Sequence, residues 1–159
     1  MKNYAAIFLF LFLSFVVYSC KKKVTAPSVP VLELVTYSPD SLKSGDPSTQ
    51  IALQMYVKDG DGDLGNSPDQ TQIYDLYIKD ARVDSFVGYF FPPIDDEIKN
   101  QDGGLEGEIL FQLRGDFIFT RDDSIHAVYG DTTTLEIYIK DMAGNESNHV
   151  TTGAVYIRP

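Results

Sequence analysis

Three carboxylates separated by single glycines make Lys58-Asp59-Gly60-Asp61-Gly62-Asp63-Leu64-Gly65 the stretch of this chain best equipped for chemistry. In an extended strand, residues at i, i+2 and i+4 share a face but stand roughly 6.8 Å apart from one to the next. Oxygens held at about 2.4 Å from a single ion must lie closer together than that, so a shared ion requires the loop to curl. Gly60, Gly62 and Gly65 permit the curl, because glycine takes positive φ without a Cβ clash. Asp59, Asp61 and Asp63 would repel one another if unpaired, and a hard divalent cation turns that repulsion into binding. The alternative is a solvated acidic turn, since Asp and Gly are also ordinary turn residues. The ion is the preferred reading. Oxygen donors without His or Cys favour Ca²⁺ over zinc. An EF-hand is excluded by spacing: with Asp59 at position 1, Leu64 stands where Gly is required at position 6, and Gln70 where a bidentate Glu is required at position 12.

The elements around this loop read as strands. Ile51, Leu53, Met55 and Val57 alternate with Ala52, Gln54, Tyr56 and Lys58, a period of two that runs straight into the acidic loop. Further strands are predicted at Val31 to Tyr37, Ile73 to Lys79, Ser85 to Phe91, Gly107 to Arg114, Leu135 to Ile139 and Val150 to Ile157. Tyr74, Leu76 and Ile78 are placed on one face, and Ile109, Phe111 and Leu113 inward. A short strand at Ser124 to Tyr129 is also entertained, the detail of 115–133 being left open. The apolar face changes parity between Val150 and Val155, which predicts a β-bulge near Thr152-Gly153. Ten Tyr, ten Phe, eight Pro and twelve Gly, with no long helical period, point the same way. The expected fold is all-β, an immunoglobulin or fibronectin III-like antiparallel sandwich of about seven strands. In such a sandwich, connections alternate between the two ends, so the loops 59–71, 92–104 and 141–148 should meet at one end, where the amino-terminal segment also enters. Asp141, Asn145 or a backbone carbonyl would then complete the ion's shell, although the Asn145 side chain is better explained as satisfying turn amides.

The first nineteen residues read as an address. Lys2 precedes an apolar run from Ala5 to Val17, short of a membrane span and suited to a signal peptide. Val17-Tyr18-Ser19-Cys20 resembles the bacterial lipoprotein lipobox, with Tyr18 departing from the small residue usual there. Cys20 is the single cysteine, so no intramolecular disulfide can form, and the resemblance implies that it carries the lipid. The alternatives are a secreted protein with a free thiol or an uncleaved anchor. Residues 20–30 form the lipidated cysteine and a Pro-containing tether, in which Lys21-Lys22-Lys23 would lie at lipid headgroups or simply be solvated. Residues 31–159 form the domain. The formal net charge of −10 argues against nucleic acid, which is bound by basic patches.

The segment Asp141-Met142-Ala143-Gly144-Asn145-Glu146-Ser147-Asn148 resembles the final hairpin of bacterial Ig-like domains. Together with Asp59 to Gly65, Phe91-Pro92-Pro93-Ile94 and Gly107-Glu108-Ile109, it is similar to a family of small lipoproteins of the Bacteroidetes type. That resemblance implies a lipid-anchored cell-envelope protein, with the outer membrane as the first expectation, and adds little on activity. The function expected is a non-catalytic module, stiffened by Ca²⁺ at one loop end, that engages a protein or glycan partner. A glycan would call for an exposed aromatic platform, for which Tyr56, Tyr77, Tyr89 and Tyr138 are candidates, with cross-strand packing the preferred account of them. The alternative is an envelope hydrolase using Asp95, Asp96, Glu97 or Asp102. It lacks a G-x-S-x-G elbow, and His126 and His149 have no nucleophile motif beside them in sequence.

Overall fold

A computed structural model describes residues 27–65, 74–91, 94 and 103–159. Residues 1–19, read above as an address, Cys20, Lys21 to Lys23, and the acidic residues Asp95, Asp96, Glu97 and Asp102 lie outside the described residues. Among the described residues no helix is long and apolar enough to cross a membrane.

The strands are β1 (Val31–Ser38), β2 (Ser41–Lys43), β3 (Gln50–Asp59), β4 (Leu76–Asp80), β5 (Val87–Tyr89), β6 (Leu105–Arg114), β7 (Asp131–Thr133), β8 (Leu135–Ile139), β9 (Val150–Thr151) and β10 (Val155–Arg158). They build an all-β, Ig-like sandwich. One layer has the order β1-β3-β6 and the other β5-β4-β8-β9, with a small sheet β2-β10-β7 at one end. All pairs are antiparallel except β2 with β10. The core draws on all three sheets, including Leu32, Leu42, Leu53, Met55, Leu76, Leu113, Ile137, Ile139 and Ile157. Alternation in β3 turns Ile51, Leu53, Met55 and Val57 inward, as their spacing predicts.

Three expectations are corrected. Ser124 to Tyr129 contains a helical turn, His126–Tyr129, instead of a strand. Asp123 Oδ1 accepts from the Ile125 and His126 amides at 3.0 and 2.9 Å. Amides bonded to a local side chain are diverted from a strand ladder. The parity change near Thr152-Gly153 is a break between two strands and not a bulge within one. β9 pairs with β8, and after Thr152 to Ala154 the chain joins β2 and β7 as β10. Thr152 spans the break, its amide donating to the Leu135 carbonyl and its Oγ1 accepting from the Leu135 amide. In the run from Tyr74 to Ile78, Leu76 and Ile78 are buried but Tyr74 is exposed, because the ladder of β4 begins at Leu76.

Candidate metal centre

Parity carries the first acid into the core. The inward set of β3 continues past Val57 to its last residue, Asp59, whose backbone pairs with Leu105 of β6. Asp59 is 1% exposed, and neither carboxylate oxygen has a hydrogen-bond partner. The chain then leaves the ladder. Gly62, at φ +67°, lies so close to the next loop that an added Cβ would stand 2.0 Å from the Gly103 carbonyl oxygen. Leu64, 2% exposed, plugs the loop into the core, and Gly65 also takes positive φ. Gly60 does not. Its part is to donate its amide to the Pro27 carbonyl at 3.0 Å.

The loop after β8 closes over this curl. The Met142 amide donates to the Asp63 carbonyl at 3.2 Å, and the Ala143 amide to Asp63 Oδ2 at 3.0 Å. Asp141, 3% exposed, accepts from the Asn145 amide at Oδ1 (2.7 Å) and from Asn145 Nδ2 at Oδ2 (2.8 Å). Asn145 thus orients Asp141 by donation, the turn role its residue type favours. The expected convergence is therefore observed where it is described: residues 59–65, 103–104 and 141–145 meet at one end, and the chain at Pro27 arrives there too.

One oxygen from each of Asp59, Asp61, Asp63 and Asp141 lies within 4.8 Å of the others. Two oxygens at about 2.4 Å from one ion can be at most about 4.8 Å apart, so every pair among the four meets the separation that a shared hard cation requires. Among the described residues no Lys or Arg ion pair reaches any of these acids. Burial, then the neighbouring Asp61, Asp63 and Asp141 carboxylates, push Asp59 up to about 7. Burial and the charges of Asp141 and Asp61 raise Asp63 as well. A carboxylate stripped of water and given no donor is expensive to keep ionised. A divalent cation among these four acids would remove that penalty. Asp63 Oδ1 is likewise buried without a partner, so the three such oxygens among the described residues belong to one cluster.

The tyrosines resolve into packing. Tyr77 and Tyr138 are opposite one another on β4 and β8, stacked at 4.7 Å and 4°, and His149 stacks on Tyr138 at 4.7 Å. Rings stacked face to face do not offer a shared plane to a sugar. Tyr89 packs against the core opposite Leu76 and meets Phe111 edge-on, which leaves it no part in an exposed platform. The Tyr56 hydroxyl donates to Glu106. His126 Nδ1 lies 2.5 Å from Asp123 Oδ2, and His149 Nδ1 lies 2.7 Å from Glu136 Oε1.

A second charged cluster was not foreseen. Asp131, 4% exposed, takes Nε and Nη2 of Arg121 at 2.9 Å each and Nη1 of Arg82 at 2.6 Å. Arg82 also grips Asp80, which accepts Thr133 Oγ1 at 2.6 Å. These groups satisfy one another at the end opposite the acidic loops, joining β4, β7 and the segment before the helical turn.

Comparison with protein-family models gave no match, and comparison with curated proteins gave none. Among solved structures, the chain is similar to the PKD domain of an M14-like peptidase from Thermoplasmatales archaeon SCGC AB-540-F20, at 17% identity and a TM-score of 0.42 over 82% of this chain and 94% of that one.

Proposed function

We propose that this protein is a lipid-anchored, non-catalytic module of the bacterial cell envelope, held at the outer membrane through Cys20, whose Ig-like domain binds Ca²⁺ at the acidic loop end and presents its remaining surface to a protein or glycan partner. The observation that carries the metal is Asp59, a buried carboxylate with two unpartnered oxygens surrounded by three more acids. Asp59, Asp61, Asp63 and Asp141 supply the protein oxygens, and Asn145 holds Asp141 in place. Calcium is favoured over magnesium because four carboxylates on two loops make an irregular, ligand-rich cage, whereas magnesium keeps several waters and a strict octahedron. The ion's role is structural: it ties the end of β3 to the loop after β8. The stacked Tyr77 and Tyr138 weigh against a flat aromatic platform and make a protein the first partner class to test.

Calorimetric calcium titration of the chain from Lys21 onward, beside Asp61→Asn and Asp63→Asn, tests the metal. Saturable binding weakened at least tenfold by each substitution supports it, and an absence of binding heat together with an unchanged unfolding midpoint rejects it. The anchor is tested separately by expressing the full chain and Cys20→Ser in a bacterial host. Membrane recovery and lipid labelling that vanish with the serine variant support lipidation, and equal recovery of both refutes it.

A further inference from the structure

β6 is a ten-residue strand at the edge of the layer β1-β3-β6. Among the described residues it pairs with β3 along its full length and with nothing on its other side. An open edge of that length presents a row of backbone donors and acceptors that can accept another strand. Its outward face, Glu106, Glu108, Leu110, Gln112 and Arg114, is exposed throughout, and the apolar residue at its centre, Leu110, is 64% exposed. Ile109 and Phe111 on the inward face are only partly buried against the core. An apolar groove of about 280 Å³ opens at Ile109, along the first half of β6, with Val57, Ile94 and Leu105 also in its lining.

The order of charges along β6 selects the occupant. In an antiparallel pairing of two copies centred on Leu110, Glu106 faces the second copy's Arg114, Glu108 faces its Gln112, and Leu110 faces Leu110. A parallel, in-register pairing would set each glutamate against its own copy. Opposite charges directly across a strand pair are favourable and like charges unfavourable. The edge is therefore complementary to itself in one direction only, as a twofold, isologous contact requires.

We infer that β6 is a homodimerisation edge: two copies join β6 to β6 antiparallel about Leu110, making one six-stranded sheet and extending cover over Ile109 and Phe111. This inference is independent of the metal reading.

The test uses the full chain in mild detergent. Sedimentation should show a dimer, and Leu110→Arg, which puts two arginines at the twofold without touching the core, should weaken association at least tenfold with an unchanged unfolding midpoint. Gln112→Lys, facing Glu108, should strengthen association severalfold, and Gln112→Glu should weaken it. Under mild oxidation Leu110→Cys should form a disulfide dimer, while Val35→Cys on the exposed face of β1 should not, and the unsubstituted chain controls for Cys20. A monomer at 100 µM, equal cross-linking at both positions, or indifference to the sign of the charge at position 112 would overturn the inference.

Discussion

Replacing Asp59 with asparagine should stabilise the domain in chelator and destabilise it, relative to the unsubstituted protein, in calcium. With no metal, Asp59 is a buried carboxylate with no donor, pushed up to about 7 by burial first and by Asp61, Asp63 and Asp141 next. A folded-state value above the unfolded one means that unfolding releases the proton between those two values. Metal-free stability therefore falls as pH rises from about 4 to 7 and is lowest above 7. Three pH units at 1.36 kcal/mol each set a ceiling of about 4 kcal/mol on what ionising Asp59 subtracts from stability, and relaxation of the loop brings the expected gain for asparagine to about 1–3 kcal/mol. The asparagine amide can also donate to the remaining acids. For the unsubstituted protein, calcium at a hundred times its dissociation constant adds about 2.7 kcal/mol. In a domain of this size that raises the midpoint by roughly 8–13 °C. Thermal unfolding of both proteins at pH 7.5, in calcium and in chelator, should give midpoints that cross. If the asparagine variant is the less stable protein in chelator, the isolated-carboxylate argument fails. If calcium raises both midpoints equally, Asp59 is not a ligand.

The other expectations concern particular contacts. Gly62→Ala should weaken calcium binding at least tenfold by titration, because its Cβ would press on the Gly103 carbonyl at 2.0 Å and the φ of +67° disfavours any side chain. Asp131→Asn should lower stability by about 1–3 kcal/mol in denaturant unfolding, since it removes the anion that Arg82 and Arg121 share, while Arg82 keeps Asp80 and Arg121 is half in solvent. Hydrogen bonds from Arg121, and then Arg82, hold the Asp131 carboxyl well below the usual carboxylate range. Its stabilisation is thus fully present above about pH 4 and is lost as acid titrates the folded group, so the asparagine variant should show a shallower loss of midpoint in acid. Asn148→Ala should cost about 1–2 kcal/mol, having lost two bonds to the Leu32 backbone, at 3.0 and 2.8 Å, that fasten the start of β1.

What could be read without coordinates was local. The alternation from Ile51 to Val57 assigns faces by itself, since side chains on a strand have a period of two, and three aspartates spaced by glycine mark a candidate cation loop wherever the loop sits. Extending the same parity by two residues would have placed Asp59 inside. Strand count alone brought the loop of Asp141 to the loop of Asp59, because connections in an antiparallel sandwich alternate between its ends. Tertiary structure decided the rest. The absence of any donor for Asp59, the clamp of Asn145 on Asp141 and the stacking of Tyr77 on Tyr138 depend on which atoms surround a group, which spacing does not encode. The cluster of Arg82, Arg121 and Asp131 left no mark because its members come from separate segments and each, alone, looks like an ordinary surface charge. The turn at His126 went to helix where a strand was entertained, since four apolar and aromatic residues carry too short a pattern to distinguish the two. The edge of β6, open among the described residues, likewise became visible only once its neighbours were known, because a strand's sequence specifies its faces while the order of strands in the sheet determines its partners.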